Sequence, residues 1–183
     1  FYIFPELYSW VKRATFQRAL PHALRMSDHI IATSEATKNE IVHILNARTD
    51  NITVIHSGID EAFRPTADAR LLHRVQKRYG ITTPYILTVG TLDRRKNLQT
   101  LIQAYHMLIQ DKDPGCALVI VGQKGNGHLE LVRAITERNL EKRIHLLGYV
   151  EEEDLPILYS GARLFVSSSR YEGYGFPALE ALA

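Results

Sequence analysis

"YILTVG", residues 85–90, decides the fold. Four apolar residues and a threonine read as a strand buried on both faces, and the glycine that follows reads as a sharp turn. The phrase returns as ALVIVG at 117–122 and as IHLLG at 144–148. After the first, Leu98, Leu101, Ile102, Tyr105, Leu108 and Ile109 share one helical face. A helix over about 127–139 follows the second. The third leads to a helix containing Leu155, Leu158 and Tyr159, then to a strand from Leu164 to Ser167. Buried strands alternating with amphipathic helices predict an α/β fold built on a doubly wound parallel sheet. Gly90, Gly122, Gly148 and the run from Glu172 to Gly175 gather at the strand C-terminal ends, where ligands bind in open α/β sheets.

Upstream of this rhythm, residues 6–25 read as a helix with Leu7, Val11, Ala14, Leu20 and Leu24 on its apolar side. Pro21 is expected to kink or interrupt it. His29 to Thr33 reads as a strand, Ser34 as a helix N-cap, and Glu35 as a first-turn acid facing the positive helix end. A helix with Ile41, Val42, Ile44 and Leu45 leads to a strand from Asn51 to Ile55, which completes a parallel βαβ unit. His56-Ser57-Gly58-Ile59-Asp60 punctuates the chain, and residues 61–83 are polar with one helix at about 68–79. The expected division is residues 1–57 and residues 58–183.

The chain has 183 residues, 45% hydrophobic and 23% charged, with a net charge of +2. That composition is globular, and its balance of 22 basic and 20 acidic residues does not supply the basic face of a nucleic-acid binder. The one cysteine, Cys116, lies in an apolar run, where it reads as buried filler or, alternatively, a reactive thiol. The eight histidines lack the spacing of a metal site. There is no apolar stretch of membrane-span length, no signal peptide and no start methionine, so the chain reads as cut at both ends.

Two segments could carry chemistry. In Thr91-Leu-Asp-Arg-Arg-Lys-Asn97, Gly90 allows a tight turn and Arg95 and Lys96 stand at a helix start. Cations oppose the dipole there, so a bound anion would complete the arrangement; a solvated charge run is the alternative. In the closing segment RYEGYGFPALEALA, residues 170–183, Gly173 and Gly175 would let backbone N–H groups approach a ligand, and Pro177 fits the first turn of a helix. Phosphate or pyrophosphate would suit that helix mouth. Glu180, one turn in, could accept both hydrogen bonds of a vicinal diol such as a ribose, or serve as a dipole-stabilising helix acid. Glu172 could accept from sugar hydroxyls, or stand as an exposed loop acid. Gly122-Gln-Lys-Gly125 is an incomplete dinucleotide fingerprint, and no Walker loop is present.

Four ordered motifs carry a resemblance over residues 25–183. Glu172-Gly-Tyr-Gly-Phe-Pro-Ala-Leu-Glu180 resembles the E-x7-E motif of the retaining GT-B glycosyltransferases of the group 1 family. Val89-Gly-Thr-Leu-Asp-Arg-Arg-Lys-Asn97 resembles its VGxLxxRKN segment. Leu146-Leu-Gly-Tyr-Val150 with Leu155, Leu158 and Tyr159 is similar to its "flGyv…Lp.lY" segment. Ser27-Asp-His-Ile-Ile-Ala-Thr-Ser-Glu35 resembles the end of its first domain. His56-Ser57-Gly58-Ile59-Asp60 stands where Pro-Asn-Gly-Val-Asp is usual, and Ser168-Ser169 where Pro-Ser is common.

The resemblance implies a Rossmann-like C-terminal domain, 58–183, that binds a nucleotide-diphosphate sugar and is truncated at its C-terminus, preceded by the βαβ end of an acceptor-binding N-terminal domain, 1–57. Arg95 and Lys96 would hold the diphosphate beside Gly90, and with Glu172 they form the implied catalytic set. Glu180 would hold the ribose diol and Glu172 would contact the donor sugar. Gly173, Tyr174, Gly175 and Phe176 would supply backbone N–H groups, and Tyr149 and Val150 would lie near the base. The implied enzyme is a retaining hexosyltransferase that needs no metal and no cofactor. Its donor would be a UDP-, GDP- or ADP-sugar and its acceptor a glycan or lipid-linked sugar in polysaccharide or glycolipid synthesis, with mannose one of the sugars in view. It would be cytoplasmic, with peripheral membrane contact through the N-terminal domain beyond this chain. The alternatives are a GT-B phosphorylase, a sucrose- or starch-synthase-like enzyme, and a non-catalytic nucleotide-sugar-binding module. The 183-residue chain by itself is expected to bind nucleoside diphosphate weakly and to transfer no sugar.

Overall fold

The structure, a computed structural model, describes residues 2–82 and 84–183; Phe1, and Thr83 at the end of the polar stretch 61–83, lie outside the described residues. The chain divides into two compact units: Phe1–Gly58 with Glu172–Gly175, and Ile59–Tyr171 with Phe176–Ala183.

In the first unit, a short 3-10 turn at Pro5–Leu7 precedes α1 (Trp10–Met26), which Ser9 caps by accepting the Lys12 N–H. The helix thus starts four residues later than its apolar pattern suggests, because Ser9 can satisfy an orphan donor and Pro5 cannot continue a helix backwards. Pro21 does not end α1. The carbonyl that its missing N–H would have engaged, Gln17 O, accepts the Tyr2 hydroxyl at 3.4 Å instead. None of the α1 residues is buried. β1 (Ile30–Ala32), α2 (Glu35–Leu45) and β2 (Ile52–Val54) form the expected βαβ unit, with β1 and β2 parallel and Ile30 opposite Ile52. Ser34 accepts the Thr37 N–H at 3.0 Å, as an N-cap should. At the other end of α2, Asn46 takes a left-handed conformation that closes the helix. Ser34→Ala is expected to cost about 1 kcal/mol of stability through this cap, read as a lower denaturant midpoint at unchanged slope.

The second unit is the doubly wound sheet. α3 (Ala69–Arg78) is capped by Asp68, which accepts from Arg70 N and Leu71 N. Then come β3 (Tyr85–Val89), α4 (Leu98–Lys112), β4 (Ala117–Val121), α5 (His128–Thr136), β5 (Ile144–Gly148), α6 (Leu155–Gly161), β6 (Leu164–Phe165) and α7 (Phe176–Glu180). The strands lie parallel in the order β5-β4-β3-β6. Side chains alternate across it. Tyr85, Leu87, Ala117, Val119 and Val121 pack on one face with Val75 of α3 and Leu158 of α6. Leu118, Ile120 and Ile144 pack on the other with Leu101, Ile102 and Tyr105 of α4 and Leu131 and Ile135 of α5. Both faces of β4 are therefore apolar, and all five of its residues are buried. Burial drives the Tyr85 phenol up to about 12, and its hydroxyl donates to the Leu158 carbonyl at 2.7 Å. Cys116 is buried, in keeping with a packing role. Leu108, expected on the inner face of α4, is instead 40% exposed. β6 pairs only through Ile86–Leu164 and Leu87–Phe165, so it stops two residues short of the expected strand.

Candidate functional site

The C-terminal ends of three strands are bound together by their glycines. Gly90 N–H donates to the Val121 carbonyl, and Gly122 N–H donates to the Gly148 carbonyl, each at 2.8 Å. Gly90 and Gly122 hold φ of 148° and 151°, conformations that side chains disfavour. A Cβ at Gly122 would lie 2.0 Å from the Gly90 carbonyl oxygen. A Cβ at Gly90 would lie 2.7 Å from Lys96 Cε and 2.9 Å from Nζ. The lysine side chain thus lies across the bare strand end.

Arg95 and Lys96 stand in a 3-10 turn, Arg94–Lys96, and not in the first turn of α4; Asn97, at φ 53°, separates the two. Three successive cations have three different settings. Arg94 pairs with Glu130 of α5. The half-buried Arg95 donates to the Tyr171 carbonyl at 2.6 Å, while its own carbonyl accepts from Arg170 N at 3.0 Å. Lys96 is 9% exposed, and its carbonyl accepts the Ser168 hydroxyl at 2.8 Å. A small recess there is lined by Thr88, Gly90, Lys96, Ser167, Ser168 and Ser169 among others.

The loop after β4 supports this turn. Asp93 accepts from Asn126 N at 3.2 Å, Asn126 accepts from Arg94 N at 3.0 Å, and Gly127 N–H donates to the Leu92 carbonyl at 2.9 Å. A Cβ at Gly125 would meet Asp93 Oδ1 at 2.2 Å, and one at Gly127 would stand 3.0 Å from Arg94 N. Gly125 and Gly127 are therefore accounted for by close packing against residues 92–94. Sequence reasoning passed over Asp93, Asn126 and Ser168. A polar residue at a strand end was the available signal, but nothing local says which backbone groups it meets.

At the end of β5, Gly148 takes φ 72°, Tyr149 is 58% exposed and Val150 is 5% exposed in the core. The following loop is tied to α3. Asp154, itself buried, accepts from Arg78 at 2.6 Å and from the Tyr79 hydroxyl at 2.9 Å, while that hydroxyl accepts Glu151 N–H at 3.2 Å. On α7, Phe176 is exposed and Pro177 occupies the first turn. Glu180, the last residue of α7, accepts the Tyr159 hydroxyl at 2.8 Å.

The other candidate residues group with the first unit. Gly173 O accepts from the Ser34 hydroxyl at 2.6 Å and from the Thr37 hydroxyl at 3.2 Å. Tyr174 donates its hydroxyl to the Ser57 carbonyl at 2.7 Å and stacks on His56, with centroids 5.9 Å apart. Gly175 needs its missing side chain for φ 86°. Gly173 does not: a Cβ there would make only an ordinary 3.6 Å contact with Thr37 Oγ1. Glu172 is half-buried at the head of this loop. The second unit thus brings Gly90, Arg95 and Lys96 together, with Tyr149 and Val150 at the end of β5 and Glu180 beside α6. The first unit holds Glu172, Gly173, Tyr174 and Gly175. Among the described residues no group of three or more His, Cys, Asp or Glu is placed to hold a metal ion, and no helix is long and apolar enough to cross a membrane.

The sequence profile of the family Glycosyl transferases group 1 matches residues 72–183, and that of Glycosyltransferase Family 4 matches residues 2–63. The chain is similar to O-antigen chain mannosyltransferase B of Escherichia coli, 32% identical over 98% of this chain and 47% of that protein. It is also similar to mannosylfructose-phosphate synthase of Agrobacterium fabrum, 30% identical over 92% of this chain and 39% of that protein. Anabaena Alr3699/HepE, solved in complex with UDP-glucose, shares the fold at a TM-score of 0.79 and 23% identity, over 97% of this chain and 48% of that one. The chain spans half or less of the length of these relatives. With more than half of its residues matched by one family profile, the chain belongs to the group 1 glycosyl transferases.

Proposed function

We propose that the protein bearing this chain is a retaining glycosyltransferase that moves a sugar from a nucleotide-diphosphate donor to an acceptor hydroxyl in the synthesis of a cell-envelope polysaccharide or glycolipid. The observation that carries this reading is Lys96, a buried cation laid over the bare end of β3, with Arg95 next to it. A parallel sheet binds its ligands at that edge, and a buried ammonium favours an anionic group. The donor's anomeric C–O bond breaks and the nucleoside diphosphate leaves with the electron pair. The acceptor oxygen then bonds to the anomeric carbon on the face that the diphosphate left, and its proton passes to the departing diphosphate oxygen. Negative charge grows on the leaving group, and Lys96 and Arg95 stabilise it from fixed positions.

Glu180 accepts the ribose hydroxyls and Glu172 those of the donor sugar. The Gly173–Phe176 backbone approaches the donor, a reading that agrees with a glycine at 173 for which the protein's own packing has no need. The similarity to a mannosyltransferase supports mannose as the sugar. The similarity to mannosylfructose-phosphate synthase favours a second reading, in which the acceptor is a small sugar phosphate. A transfer assay with GDP-mannose, UDP-glucose and ADP-glucose against glycan and sugar-phosphate acceptors separates the two. The product's anomeric coupling constant reads the stereochemistry, and an inverted product refutes retention.

Because the two cations supply the charge, the transfer needs no metal. Activity in excess EDTA is expected to stay within twofold of the untreated level. Activity abolished by EDTA and restored by manganese would refute this mechanism.

A further inference from the structure

We propose that Tyr159 is a positioning residue that sets the Glu180 carboxylate for recognition of the donor's ribose; this rests on the reading of Glu180 given above. An ionised carboxylate offers about four acceptor sites. Among the described residues the one donor to Glu180 is the Tyr159 hydroxyl, 2.8 Å from Oε2. Left alone, a glutamate at the last position of a five-residue helix would sample several rotamers, and each hydrogen bond to a ligand would oppose that entropy. Here one oxygen is held by a group that is itself immobile. The Tyr159 ring meets Phe63 edge-on, with centroids 5.7 Å apart at 71°, and lies tilted against Phe165 at 5.5 Å. Its helix, α6, buries Leu158 and Pro156 alongside.

The tyrosine is also kept as a donor. Burial raises the phenol above its ordinary value, and the hydrogen bond to Glu180 and the carboxylate's charge raise it further. The hydroxyl proton therefore remains in place across the physiological range, directed at Oε2. Oε1 receives no hydrogen bond from the described protein groups, so its acceptor sites are open to a ligand. One oxygen fixes the plane of the carboxylate and the other reads the diol. This accounts for a tyrosine at 159 where a phenylalanine would fill the same space between Phe63 and Phe165.

The experiment compares GDP with 2′-deoxy-GDP, and UDP with 2′-deoxy-UDP, by calorimetry on the wild-type protein, Tyr159→Phe and Glu180→Gln. Wild type should prefer the ribonucleotide. Tyr159→Phe keeps the ring packing, and it should bind the ribonucleotide about tenfold more weakly while binding the deoxynucleotide as wild type does. A merely structural hydroxyl would instead lower both affinities equally, together with the melting temperature, and that outcome overturns the proposal. So does an unchanged ribo-to-deoxy ratio in Tyr159→Phe. If Glu180→Gln abolishes the ratio while Tyr159→Phe preserves it, the positioning role alone falls. If wild type shows no preference, or Glu180→Gln keeps it, the diol reading beneath falls as well.

Discussion

Gly122→Ala is expected to lose about 4 kcal/mol of stability or more, a large share of what a domain has. Two costs add at this position. The φ of 151° lies in territory that is nearly glycine's alone, worth about 1–3 kcal/mol for another residue. The new methyl would also stand 2.0 Å from the Gly90 carbonyl oxygen, a backbone atom that no side-chain rotation can move away. Relief requires β3 and β4 to part at their ends, which breaks the Gly90–Val121 hydrogen bond. Thermal unfolding should move down by about 10 °C or more, at about 2–4 °C per kcal/mol for a chain of this size. Gly58→Ala is the control. Nothing lies within 4 Å of its Cβ and its φ is not positive, so its midpoint should hold or rise slightly. A Gly122→Ala protein within 1 kcal/mol of wild type would disprove the strand-end packing described above.

The second large effect concerns ligand. Arg95→Ala with Lys96→Ala should weaken nucleoside diphosphate binding at least a hundredfold and free nucleoside binding less than threefold. Hydrogen bonds to charged groups contribute about 1.5–3 kcal/mol each, and two are removed. Arg95 also holds the Tyr171 carbonyl, so Lys96→Ala alone is the cleaner variant and should account for about half of the loss in free energy. Equal losses for nucleoside and diphosphate would show that the cations do not meet the phosphates. Arg94→Ala, which removes the partner of Glu130, should leave the diphosphate-to-nucleoside ratio unchanged.

The parts of the fold legible in the sequence were those whose signal is local. β3 and β4 have the bounds that their apolar runs suggest, because strands buried on both faces read as near-continuous apolar runs. Ser34 was legible as a cap because the cap's acceptor and its donor are three residues apart. That α1 continues through Pro21 was not, since the hydroxyl that takes over the Gln17 carbonyl comes from Tyr2, outside the helix. The triplet Arg94-Arg95-Lys96 shows the same limit within the candidate site. As sequence it is a single run of cations, and position in a helix cannot rank them. What ranks them is a carboxylate 36 residues on for Arg94 and a carbonyl 76 residues on for Arg95. For Lys96 it is a missing side chain at Gly90. The roles of Gly125 and Gly127 were hidden likewise, because the atoms they make room for belong to another loop.

The double hydroxyl contact on Gly173 has an electronic consequence. A peptide group is a conjugated unit, so hydrogen bonds received at its oxygen draw electron density away from its nitrogen. The Ser34 and Thr37 hydroxyls both donate to the Gly173 carbonyl, and the nitrogen of that same amide is the one that Tyr174 contributes. Its proton becomes more positive and its hydrogen bonding stronger, by about 10–30% for each polarising bond. Two neutral side chains, the N-cap Ser34 and Thr37 of α2, thus raise the acidity of one amide proton in the Glu172–Gly175 segment, as a substituent tunes an acid through conjugation and without adding any formal charge.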